Sequence, residues 1–192
     1  MLGYICKYAP IEIFESMGVT MRRIEPDVTN FNQAEIKMHP NICSFAKGVL
    51  EDVMTGGYEG VILTTCCDSI RRLYDVLREE YPDKFIYMLD TPRLTKEAGV
   101  DIYEQRIRAM IASYEKFSGK TFDEAAFVSY VKGKEEKRNI SHKTGALNIG
   151  ILGARANENI KKIPEENLIF LDCVFHRHTR SLPSQSSMSW AT

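Results

Sequence analysis

The sequence predicts an α/β fold: a Rossmann-like parallel sheet flanked by helices, followed by the start of a second α/β unit. Two observations carry that reading. Short β-rich runs at 2–6, 19–24, 60–65, 85–89 and 147–152 alternate with stretches of helical periodicity. The run Gly60-Val-Ile-Leu-Thr-Thr65 is also apolar without alternation, as expected of a strand covered on both faces.

The first helix is expected to begin near Pro10, after the strand at 2–6. In 40–55, Ile42, Phe45, Ala46, Val49, Leu50, Val53 and Met54 recur along one helical face. Pro40 suits a first helical position, and Gly56-Gly57 ends the pattern. The stretch 69–80 repeats the theme with Ile70, Leu73, Tyr74 and Leu77, and Pro82 follows it. A third helix is expected over 101–117, carrying Ile107, Met110, Ile111, Tyr114 and Phe117. A fourth covers 123–138 and ends in charge, and 132–143 reads as an exposed linker. The expected organisation is an α/β domain over 1–140, an incomplete second unit over 141–180, and a Ser-rich disordered tail over 181–192.

Composition narrows the function classes. Of 192 residues, 44 % are hydrophobic and 27 % charged, which fits a globular chain with a core. The formal charge of −1 gives no electrostatic reason to expect nucleic acid or an anionic membrane as partner. No apolar run approaches bilayer length, and the start lacks the basic and apolar pattern of a signal peptide. A cytoplasmic location follows as the expectation. The five cysteines, Cys6, Cys43, Cys66, Cys67 and Cys173, are odd in number and two are adjacent, which suits reduced thiols better than a disulfide framework.

Cys6 closes the first strand run. Cys43 falls in the first turn of the helix opened by Pro40, and Cys66 and Cys67 lie between the run at 60–65 and the next helix. All are expected near helix N-termini, whose partial positive charge and free N–H groups stabilise anions and lower thiol pKa. In open α/β sheets, ligands bind beyond the C-terminal strand ends. There is no C-x-x-C, so spacing alone leaves two readings open: ordinary buried thiols, or ligands of an anionic metal centre.

Several segments, taken in order, favour the second. Gly3-Tyr-Ile-Cys-Lys-Tyr-Ala-Pro-Ile-Glu12, followed by Gly18, resembles the opening motif of the 2-hydroxyacyl-CoA dehydratase family. Cys43-Ser-Phe-Ala-Lys47 resembles its second cysteine segment, and Cys67-Asp-Ser-Ile-Arg-Arg-Leu-Tyr-Asp75 its third. Asp90-Thr-Pro92 resembles an Asp-x-Pro turn of the family, Glu115 to Gly119 a helix end, and Ile149 to Arg155 the start of its second α/β domain. Ordered agreement of several segments is more specific than any one of them.

The resemblance implies a [4Fe-4S] cluster held by Cys6, Cys43 and Cys67, with one iron left open. It implies a lyase component that eliminates water from an (R)-2-hydroxyacyl-CoA to give the 2-enoyl-CoA through a ketyl radical. It also implies a homologous partner subunit and an ATP-dependent iron–sulfur activator protein. Family subunits are longer than this chain, and the resemblance fades from Pro164, so a truncated, catalytically inactive α/β domain is the contrasting expectation. Catalytic residues are not assigned.

Cys66 is expected to fill space behind the cluster loop; as an extra ligand it would instead point to the family's double-cubane reductase branch. Glu12 is either a family carboxylate near the cluster or a first-turn acid on the helix dipole. Asp68 sits where an N-cap belongs, and Arg71 and Arg72 read as solvated helix surface. Asp90 and Pro92 fit a plain turn, and the His176-x-His178 pair lacks an element to orient it.

Overall fold

Gly60–Thr64, buried along its whole length, is the central strand of the fold. The computed structural model describes residues 1–27, 30–93, 96–136, 148–152 and 167–171. In chain order the elements are β1 (Leu2–Tyr4), α1 (Ile11–Ser16), β2 (Met21–Arg23), α2 (Asn32–Lys37), α3 (Ser44–Thr55), β3 (Gly60–Thr64), α4 (Asp68–Glu80), β4 (Phe85–Leu89), α5 (Glu97–Ser118), α6 (Glu124–Glu136), β5 (Asn148–Leu152) and β6 (Asn167–Leu171). The chain divides into two compact units, Met1–Glu135 and Glu136–Thr192.

In the first unit the strand order is β2-β1-β3-β4, and every pairing is parallel. The chain therefore runs outward from β1 to β2, crosses back to β3 and continues to β4. The winding reverses between β1 and β3, which makes that pair the topological switch point.

Alternating side chains place a core on each sheet face. Val61 and Leu63 of β3 pack with Val49, Leu50 and Val53 of α3 and with Ile70, Leu73 and Leu77 of α4. Ile62 faces the other way, with Leu2, Tyr4, Phe85 and Leu89, against Ile13 and Phe14 of α1 and Met110, Ile111 and Tyr114 of α5. Tyr114 meets Phe14 and Phe85 edge-on, with ring centroids 5.1 and 5.0 Å apart. Gly60 permits the close pairing of β3 with β4, since a Cβ there would lie 2.3 Å from the Phe85 carbonyl oxygen. Gly119 ends α5 in the left-handed conformation, at φ 70°.

Several boundaries differ from expectation. The helix anticipated from Pro40 starts at Ser44, because residues 40–43 form a turn, and Cys43 is its N-cap rather than a first-turn residue. The next helix starts at Asp68 with Cys67 as N-cap, so Asp68 is not the cap. The strand runs expected to end at Cys6 and Thr65 end at Tyr4 and Thr64. The 101–117 helix is longer at both ends, spanning Glu97–Ser118. The proposed linker from 132 is helical through Glu136. Helix α2 was not expected. Its exposed Ile36 and single buried residue, Ala34, leave no amphipathic signal.

In the second unit β5 and β6 pair in parallel, from Asn148 against Asn167 to Leu152 against Leu171. Strand β6 was not among the expected elements. The tail at 181–192, Cys173, and His176 and His178 lie outside the described residues.

Candidate functional site

The parallel topology carries the cysteines to one edge. The chain leaves every strand of the first sheet at the same edge, and the helix that follows starts there. Cys6 comes two residues after β1 ends, Cys66 and Cys67 come two and three residues after β3 ends, and Cys43 opens α3. Cys6 and Cys66-Cys67 thus flank the β1/β3 switch point, where doubly wound sheets bind their ligands.

Cys43 and Cys67 occupy positions that helices normally give to Ser, Thr, Asp or Asn. Both have the extended backbone of an N-cap, and neither side chain makes a capping hydrogen bond. The Glu51 carboxylate, in contrast, reaches from α3 to cap α2, accepting from the backbone N–H of Gln33 at 2.8 Å and of Ala34 at 2.9 Å. A neutral thiol is a weak acceptor, so a cysteine serves an N-cap less well than a hydroxyl or carboxylate does. A thiolate or a thiolate-bound sulfide cluster is the kind of anion that the N–H groups of a helix N-terminus favour.

All four described cysteines are free; Cys43, Cys66 and Cys67 are exposed and Cys6 is half-buried. Burial pushes the Cys66 thiol above the ordinary range. The Thr64 hydroxyl opposes that shift, and the nearby Cys67 and Cys6 thiols add to it. Cys6, Cys66 and Cys67 therefore share one electrostatic neighbourhood, and Cys43 opens α3 at the same edge. The residue surface of Cys66 is open to solvent, yet enough protein surrounds its sulfur for burial to be the largest cause.

Among the described residues no three His, Cys, Asp or Glu side chains converge tightly enough to hold a single metal ion. Cys6, Cys43 and Cys67, the last two at N-cap positions, are thiols of the donor type that would fit a thiolate-bound iron–sulfur cluster.

Supporting contacts surround this edge. Thr65 donates from Oγ1 to Asp90 Oδ1 at 2.8 Å and accepts from the Thr91 N–H at 3.1 Å, tying the ends of β3 and β4 together. Arg106 stands 3.8 Å from the same carboxylate. Asp90 is thus a crosslink between strand ends as well as a turn residue. Arg71 and Arg72 are exposed and pair with Asp68 and Asp75 on their own helix, as surface residues do. Glu12 is a first-turn acid of α1 and faces Lys134 of α6 at 3.6 Å, while Glu15 accepts from Lys134 and Tyr130.

Sequence reasoning missed Tyr103. Its hydroxyl, on α5, donates to the Tyr8 carbonyl in the loop that carries Cys6. Burial, then Cys6, Tyr8 and Glu12, push its phenol up to about 12, so it stays protonated and remains a donor. The two residues are 95 positions apart, and no local pattern joins them.

Fold and site together define a doubly wound α/β domain that carries free thiols on the sheet edge that includes its switch point. The family model for 2-hydroxyglutaryl-CoA dehydratase, D-component, matches residues 6–148, most of the chain, and the protein belongs to that family. It is accordingly a component of a multi-subunit dehydratase, a hydro-lyase. No curated protein matches the chain at a significant level. No helix among the described residues is long and apolar enough to cross a membrane.

Proposed function

We propose that this chain is the iron–sulfur subunit of a 2-hydroxyacyl-CoA dehydratase, with a [4Fe-4S] cluster on Cys6, Cys43 and Cys67. The observation that supports this most is the arrival of free thiols from three separate elements at the edge that includes the β1/β3 switch point. When bound, the cluster would supply a Lewis-acidic iron and one-electron chemistry, which water loss from a 2-hydroxyacyl thioester needs because the β-hydrogen is barely acidic.

This chain's own residues set the conditions for that chemistry. The N-termini of α3 and α4 offer N–H groups and positive dipole ends to the anionic thiolates. The Thr65–Asp90 crosslink fixes the β3 end from which Cys66 and Cys67 follow. Water would leave an (R)-2-hydroxyacyl-CoA to give the 2-enoyl-CoA by way of a substrate ketyl radical. A homologous subunit would complete the enzyme, and an ATP-dependent iron–sulfur activator protein would deliver the electron. Reduced thiols and the absence of a spanning helix among the described residues support a cytoplasmic setting.

The solvent exposure of Cys66 supports a second reading, the double-cubane reductase branch of the same family. Cysteine variants separate the two. After anaerobic reconstitution, Cys6→Ala, Cys43→Ala and Cys67→Ala should each lose most of the iron, and Cys66→Ala should retain about four per chain. About eight iron in the wild type, lost in Cys66→Ala, would favour the double cubane. Three cysteine variants that retain the wild-type iron would contradict both readings.

A further inference from the structure

We infer that Tyr103 is a positioning residue for Cys6: its hydroxyl, reaching from α5, holds the Tyr8 carbonyl and keeps the loop over residues 5–10 in the shape that presents the thiol at the β1/β3 edge. The inference rests on the iron–sulfur reading for its consequence, and on the apo-protein's geometry for its content.

The loop is short and closed on itself. The Ala9 N–H donates to the Cys6 carbonyl at 3.0 Å, and the Ile11 N–H donates to the Ala9 carbonyl at 2.9 Å. Tyr8 lies inside that pair of turns, so fixing its carbonyl fixes the orientation of the segment that starts at Cys6. The other end of the contact is secure. Tyr103 belongs to a 22-residue helix, and its ring packs against the core formed by α1, α5 and one sheet face. A contact from a long helix to a six-residue loop transfers the helix's rigidity to the loop. The phenol is also a neutral donor, so it adds no negative charge beside a thiolate.

Tyr103→Phe removes the oxygen and keeps the ring. In the reduced apo-protein, alkylation of each cysteine by iodoacetamide can be followed by peptide mass spectrometry. Loss of one tethering hydrogen bond should raise the rate at Cys6 about fivefold, with Cys43 unchanged. Replacing Tyr103 with 4-aminophenylalanine keeps a donor at the same place and should restore the wild-type rate. A second readout is release of iron from the reconstituted protein to a chelator, which should be faster for Tyr103→Phe by a similar factor. Equal Cys6 rates in all three proteins would overturn the inference. So would a rise shared equally by Cys43, which would mark a general loosening. If the wild type takes up no iron, the cluster reading fails, and the alkylation rates still decide the role of Tyr103.

Discussion

Cys43 and Cys67 start helices where a hydroxyl or carboxylate side chain would stabilise them better. That choice is a cost in the apo-chain if the thiols serve as ligands. Cys43→Ser should therefore act in opposite directions on two observables. Denaturant unfolding of the apo-protein should show a gain of about 0.5–1 kcal/mol from the restored cap, while reconstitution should show loss of iron. The same scale shows what the sequence could and could not disclose. The cysteines were legible because their residue type carries the chemistry. Tyr103 was not, because its partner is a backbone carbonyl 95 positions away. Its proton supplies a pH test. The phenol is raised from 10.0 to about 12, mainly by burial, so the folded chain keeps a proton that the unfolded chain releases. That contribution is whole below pH 10 and is lost as pH rises through about 12. The stability of the wild type should fall more steeply than that of Tyr103→Phe between those values, as read from urea midpoints.

At the scale of elements, the strands and long helices of the first unit follow from hydrophobic periodicity, and their ends follow from contacts that periodicity does not contain. Helix α3 starts four residues later than Pro40 suggests, since residues 40–43 form a turn that delivers Cys43 to the cap. Helix α2 buries only Ala34, and its first N–H groups are satisfied by Glu51 from the next helix. A tertiary cap of this kind leaves no mark in the six residues of the helix itself. Glu51→Ala should cost about 1 kcal/mol, and amide exchange should quicken at Gln33 and Ala34 while the β3 amides keep their protection. Equal quickening in β3 would indicate that Glu51 supports the whole unit and not this helix end.

For the whole molecule, the strand order β2-β1-β3-β4 converts positions scattered along the chain into one edge. Cys6, Cys43 and the adjacent pair Cys66-Cys67 are remote from one another in sequence, yet each follows a strand or opens a helix at the same sheet edge. The expectation that the cysteines lie near helix N-termini was legible from their neighbours. The order of the strands, and hence which cysteines flank the switch point, was not, because parallel pairing is non-local and leaves no local signal. The candidate ligands and their supporting contacts lie within Met1–Glu135, one of the two compact units. The central claim is that this unit binds an iron–sulfur cluster on cysteine thiolates. The most direct test is iron and acid-labile sulfide per folded chain after anaerobic reconstitution of the wild type. The account predicts about four of each; a folded chain that takes up neither would contradict it.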